Sequence, residues 1–403
     1  MNEYINIKSA LKRLQFGTAK CIKLHVGKTC NETLCKDLFL DDWKLKVERN
    51  DDTGEIAQAE YFGGVEKLTQ KQEQKYLGDI VSADGKQNSN ILARKNKGLG
   101  IINQIEQILD TVFYGKYHFE VAMILRSSLF LSAVLLNSEA WVNLTHQNIR
   151  TLEKTDEILL SRILGCEANT SNAYKYLELR IYPIRFEIMK RNILFLQYIL
   201  QQDENSMMYQ VFKAICDNPI KNDFVKISRK YLSTLNINLS FEQIAQMSKN
   251  KFKKIVKQKT MEAAFNYLIV EKNKQTKICN IEYRQLNMQE YLLEGNKNIQ
   301  ISKLIFKARG KTLDIKTNKK WKYDDDLCVG CGVNVETVDE ILTCTGYSDT
   351  NDTTNKLTFS LLYSDHTRQM VEIGKVLQKK LKMKIYKHME LLNAPFFRHR
   401  ALS

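Results

Sequence analysis

Three cysteines in the last quarter of the chain, Cys328, Cys331 and Cys344, carry the spacing of metal ligands, C-x2-C-x8-E-x3-C with Glu340 counted third. Two cysteines separated by two residues can turn both sulfurs onto one ion, and a further pair from the next turn completes a tetrahedron around Zn²⁺. Structural zinc sites more often have His in the third place, and here Glu340 stands beside Asp339. A carboxylate binds zinc but is a less usual structural ligand, so a distant donor such as His366, or no metal and three reduced cysteines, are the alternatives. A looser group, Cys21, His25, Cys30 and Cys35, gives no reason for convergence: the first two share one face of a strand and the others follow in a loop.

Two-metal polymerases and nucleases need carboxylates held close together around Mg²⁺. Two candidate clusters exist, Asp41-Asp42 in LDDW and Asp324-Asp325-Asp326 in YDDDL, and both read as exposed turn acids. The chain has no G-x-x-x-x-G-K-[ST] loop, no G-x-S-x-G elbow and no H-E-x-x-H. Nucleotide hydrolysis, serine hydrolysis and zinc proteolysis therefore have no foothold in it.

Charge points to an anionic partner. Lys and Arg number 61 against 46 Asp and Glu, a net charge of +15, although a base-composition bias that enriches Lys, Asn and Ile would give the same excess. The densest basic segment runs from Ile301 to Tyr323 and contains Lys303, Lys307, Arg309, Lys311, Lys316, Lys319, Lys320 and Lys322 around one acid, Asp314. Phe306, Trp321 and Tyr323 are interleaved with these cations. Cations neutralise phosphates and rings stack on unpaired bases, so the mixture suits nucleic acid, while a solvated helix face with core anchors would look similar. A second cluster, Lys249, Lys251, Lys253, Lys254, Lys257 and Lys259, falls on a helical stretch with Phe252 and Ile255 facing inward.

The elements that must position these groups are mostly helices. Only three prolines interrupt the 403 residues, and from Asn88 onward apolar residues recur at three- and four-residue intervals, as in Ile101, Ile102, Ile105, Ile108 and Leu109. Val121 to Leu136 is the longest apolar stretch, but it holds Arg126 and is shorter than the roughly 20 residues a bilayer crossing needs, so it reads as a buried helix. Earlier residues alternate like strands: Cys21 to Val26, Trp43 to Val47 before a turn at Asp51 to Gly54, and Tyr76 to Val81 before Ala83-Asp84-Gly85. The expected fold class is mainly α, a small α/β piece followed by a helical array and a Cys-rich knuckle. Nine scattered cysteines and an opening segment without an apolar core fit an intracellular protein, in nucleus or cytoplasm, with no membrane association.

These residues resemble the C-terminal portion of the reverse transcriptases of non-LTR (LINE-like) retrotransposons. Leu14 to Lys28, LQFGTAKCIKLHVGK, is similar to the helix-to-strand stretch after the catalytic turn of the palm, and Lys75 to Asp84, KYLGDIVSAD, to the primer-grip strand and its turn. The helical body with EAWVNLT at Glu139 to Thr145 and LELR-x-x-P-I-R-F at Leu177 to Phe186 is similar to the thumb and linker. The basic run and its cysteines are similar to the knuckle after the thumb, which in the family carries Cys, Cys, His and Cys.

The resemblance implies a partial palm with a primer-grip hairpin over 1–87, helical thumb and linker over 88–295, a basic segment with degenerate zinc knuckle over 296–350 and a helical tail over 351–403. It also implies RNA and DNA as partners, in the form of primer and template. Tyr76, Leu77 and Gly78 are then primer-grip residues, with Lys20 and Lys23 as weaker contacts; Lys307, Arg309, Lys311, Lys319 and Lys320 meet nucleic acid; and Cys328, Cys331, Glu340 and Cys344 are metal ligands, the metal being structural Zn²⁺. The family's catalytic aspartates find no match in this sequence, so Mg²⁺ and DNA synthesis are expected only if those palm segments are supplied from elsewhere. The expected function is primer-template binding without polymerisation. The alternative is a domesticated or decayed helical scaffold with no nucleic-acid role.

Overall fold

The computed structural model describes strand segments at 22–23, 39–49, 56–67, 69–70, 73–76 and 78–82, and then residues 86–111, 117–219, 223–294, 298–347 and 367–393. The described residues are mainly helical. They divide into two units, Met1–Ala93 with Val142–Asn148, and Arg94–Trp141 with Ile149–Ser403.

Among the described residues, the first unit holds three two-stranded pairings. Strand β1 (Ile22–Lys23) runs parallel to β4 (Thr69–Gln70), and β2 (Phe39–Arg49) pairs antiparallel with β3 (Ile56–Lys67) in a long hairpin. Asp41 and Asp42 lie within β2, opposite Val65 and Gly64, so they are strand residues and not the turn acids that LDDW suggests. The strand expected from Tyr76 to Val81 is instead a tight hairpin of β5 (Glu73–Tyr76) and β6 (Asp79–Ser82), with Tyr76 opposite Asp79. The chain reverses at Gly78, which adopts φ 92°, a conformation that L side chains resist. Within β6, the backbone N–H of Ile80 donates to Asn90 Oδ1 at 3.3 Å, at the start of helix α1 (Asn88–Thr111). Thr145 and Asn148 cap one another reciprocally at the start of α4 (His146–Leu164): the N–H of Asn148 donates to Thr145 Oγ1 at 3.1 Å and the N–H of Thr145 to Asn148 Oδ1 at 3.2 Å.

The second unit is a helical array. The apolar stretch around Val121 forms α2 (His118–Leu125) and α3 (Leu131–Val134), joined by a π-helical segment at Arg126–Phe130. The wider π turn accompanies a buried charge: Arg126 makes two hydrogen bonds to Asp156, at 2.7 and 2.6 Å, and Tyr176 Oη donates to the same carboxylate at 3.1 Å. Helix α1 approaches this pair closely at Gly98, where a Cβ would lie 2.9 Å from Val134 Cγ2 and 3.1 Å from Thr155 Cγ2.

Helices α5 (Asn172–Glu178), α6 (Ile184–Leu200), α7 (Met207–Asp217), α8 (Phe224–Thr234), α9 (Phe241–Gln246) and α10 (Lys249–Asn273) follow. Five of these six share one apolar core, with Ile193, Leu196, Phe212, Leu232, Ile244, Phe252 and Val256 buried in it. Side chains of Ser206, Asp223 and Ser240 accept the backbone N–H three residues on and so fix where α7, α8 and α9 begin. Helices α11 (Glu290–Glu294), α12 (Ile299–Arg309), α13 (Val338–Thr343) and α14 (Thr367–Asn393) complete the unit. Helix α14 packs on α12 and α13.

Candidate functional site

Local backbone geometry assembles the cysteine group. Leu327 and Val335 form an antiparallel bridge, the N–H of Cys328 donates to Asn334 O at 2.7 Å, and the N–H of Gly332 donates to Cys328 O at 2.7 Å. Gly332, at φ 69°, lets the chain turn back immediately after Cys331. Thr337 caps α13 by accepting the N–H of Glu340 at 3.0 Å, which points the first turn of this helix, with Glu340, and its C-cap, Cys344, back at the turn. Cys328 Sγ and Cys344 Sγ are 3.7 Å apart, Cys331 Sγ and Glu340 Oε1 are 3.3 Å apart, and all four donor atoms lie within 4.8 Å of one another.

The three cysteines are free thiols. Backbone N–H groups of Asn334 and Val333 pull the Cys331 thiol below its ordinary range, whereas burial pushes Cys344 up to about 12. Four such donors, two buried and two half-buried, form a group that could hold a metal ion. Gly346 is required here by space: a Cβ on it would lie 2.2 Å from Gly330 O.

Two lysines that the sequence did not single out brace the knuckle. Lys380 Nζ on α14 donates to Leu342 O at 2.6 Å, and Lys384 Nζ to the fully buried Glu336 carboxylate at 2.5 Å. Glu336 also accepts the backbone N–H of Lys316 at 2.9 Å, tying the basic segment to the knuckle. Their four-residue spacing on one helix was the available signal, but it reads equally as a solvated face. His366, Cys21, His25, Cys30 and Cys35 lie outside the described residues.

The basic segment is far less open than its composition suggests. Arg309 is 3% exposed and donates to Glu178 at 3.3 Å; Tyr283 Oη and Tyr291 Oη donate to the same carboxylate at 2.5 Å each. Burial works against the Arg309 charge, but the Glu178 carboxylate outweighs it and the guanidinium pKa is raised. Lys319 is also buried and is held by Glu167. Arg309 is therefore an internal counter-ion, a correction to its reading as a nucleic-acid contact, whereas Lys319 is a buried cation whose partner Glu167 is half-exposed. Lys316 pairs with Asp325 at 2.5 Å and Lys322 with Asp314 at 2.5 Å. Lys307 and Lys311 are half-buried, and Lys320 and Trp321 are exposed.

The second cluster keeps its charges in the open. Lys249, Lys251, Lys253, Lys254 and Lys257 on α10 are exposed, with Phe252 and Val256 buried beneath them; among the described residues none of the five has an acidic partner. Only Lys259 is engaged, by Glu262 at 2.8 Å. Of the remaining sequence candidates, Lys23 and Tyr76 lie on β1 and β5, Gly78 forms the β5–β6 turn, and Lys20 and Leu77 fall outside the described residues.

No family model, no curated protein and no solved structure matches the chain. Among the described residues no helix is long and apolar enough to cross a membrane.

Proposed function

We propose that this chain binds nucleic acid through the phosphate backbone, using the open cationic face of α10. The observation that carries the reading is the set of five exposed lysines between positions 249 and 257, uninterrupted by any acid. Lysines so placed gain little from the fold and much from releasing counterions on a polyanion. Phosphate contacts of this kind position a protein without identifying bases, so the binding follows backbone geometry more than sequence. The resemblance to non-LTR retrotransposon reverse transcriptases supports primer and template as the ligand; in that reading the helical body serves as the thumb and the β5–β6 hairpin as the primer grip. The proposal concerns binding, and no residue is assigned a catalytic role.

The metal in the knuckle is Zn²⁺ in this proposal. Zn–S bonds of about 2.3 Å at tetrahedral angles separate two sulfurs by about 3.8 Å and a sulfur from a carboxylate oxygen by about 3.5 Å. The Cys328–Cys344 and Cys331–Glu340 separations of 3.7 and 3.3 Å fit those edges. The ion would cross-link the turn to α13, a structural role that suits four protein ligands with no open position.

Binding of a labelled primer–template duplex, with DNA synthesis assayed on the same samples, tests the function. Binding that weakens steeply with salt supports it, and an absence of binding at low salt refutes it. A helical scaffold for a protein partner is the second reading, favoured by the exposed Met207, Met208 and Val211 on α7; it requires an association that salt does not weaken.

A further inference from the structure

A polar pocket of about 240 Å³ opens beside the α4–α5 connection, with Thr170, Gln275, Lys277, Lys311, Asn318 and Trp321 among its walls. Two features set it apart from an ordinary surface hollow. Trp321, a large aromatic residue, is 80% exposed. Lys277 and Lys311 have no acidic partner among the described residues, while Glu167, the carboxylate at this pocket, is already neutralised by Lys319.

Lys311 also holds φ 51° in the left-handed position that ends α12, where Thr312 N–H donates to Lys307 O at 2.8 Å. Glycine is the usual residue at that position, and the glycine here, Gly310, falls one place too early. A lysine kept in strained backbone at a pocket wall is the kind of local departure that marks a working site.

An indole for stacking, two cations for phosphate, and the amides of Gln275 and Asn318 for a base edge form one recognition chemistry. We infer that this pocket takes a single unpaired nucleotide of the bound strand, its base stacked on Trp321 and its phosphate met by Lys277 and Lys311. The inference rests on the nucleic-acid reading above and deepens it from backbone tracking to capture of an extrahelical base.

The test uses two probes of equal length, a fully paired duplex and the same duplex carrying one bulged 2-aminopurine. Trp321→Ala alters an exposed side chain and leaves the fold intact, which circular dichroism verifies. It should weaken the bulged probe roughly 5- to 150-fold, leave the paired duplex unchanged and abolish quenching of the 2-aminopurine. Lysine-to-glutamine changes on α10 should weaken both probes alike. If Trp321→Ala binds both probes as the wild type does, the pocket is not a nucleotide site and the backbone reading survives. If the wild type binds neither probe, the reading beneath it fails as well.

Discussion

Replacing Arg309 by methionine removes a cation that the sequence places on the nucleic-acid surface and the fold places inside. Arg309 and Glu178 are 3% and 0% exposed as side chains, and the carboxylate is further held by Tyr283 and Tyr291 at 2.5 Å. Loss of the guanidinium leaves Glu178 buried with two neutral donors and no countercharge, at a cost of about 3 to 5 kcal/mol. Glu178→Gln strands the guanidinium in the same way and carries a similar cost. The double variant Glu178→Gln with Arg309→Met removes both charges, keeps an acceptor for the tyrosines and sets a thioether beside Met370, whose Sδ lies 3.5 Å from the Arg309 Nη1. It should recover most of the loss, giving a coupling of about 2 kcal/mol or more in urea unfolding of the four proteins. Its affinity for a primer–template duplex and the salt dependence of that affinity should match the wild type. An Arg309→Met variant that is as stable as wild type, yet binds nucleic acid more weakly, would refute the internal placement.

Other consequences follow from the same geometry. Cys344→Ser should cost zinc affinity more than the roughly 10- to 100-fold lost with an outer hydrogen-bonding partner, and metal content of the purified protein reads this directly; stoichiometric zinc in the variant argues against the ligand set. Gly346→Ala changes no ligand but drives a Cβ to 2.2 Å from Gly330 O, so it should destabilise the knuckle by about 1 to 3 kcal/mol and lower its metal content too. Burial, with Lys303 adding to it, lowers the His118 pKa from 6.5 to about 4. The folded protein holds this ring neutral, so its contribution is present above pH 6.5 and is lost as pH falls toward 4, by up to about 3 kcal/mol. Urea midpoints at pH 7 and 4.5 should differ more for wild type than for His118→Leu, and equal differences would contradict the assignment.

The cysteine group was legible because its members are local: Cys328, Cys331, Glu340 and Cys344 lie on one turn and one short helix, and spacing alone brings them together. Of the β2–β3 hairpin, Trp43 to Val47 alternates and was legible, whereas no strand was read over Ile56–Lys67. The reversal at Gly78 was missed because Gly78 reads equally well as a glycine that lets a phosphate approach. What local pattern cannot show is where a charge finds its partner. Glu178 and Glu167 are 131 and 152 residues from Arg309 and Lys319, so a dense basic run hid one internal ion pair and one between a buried lysine and a half-exposed carboxylate. Arg126 is a smaller case: its stretch reads as a buried helix, but the π-helical segment depends on Asp156, 30 residues on. The α10 lysines looked weaker by density and proved more open, because helical periodicity buries Phe252 and Val256 and leaves the cations facing water.

The salt dependence of duplex binding, compared between wild type and a variant with glutamine at 249, 251, 253, 254 and 257, tests the central claim most directly. Each phosphate neutralised contributes about 0.9 to the slope of log K against log salt, so the variant's slope should flatten by up to about 4.5 while its fold is retained. Identical slopes and affinities for the two proteins would show that the open face of α10 does not bind nucleic acid.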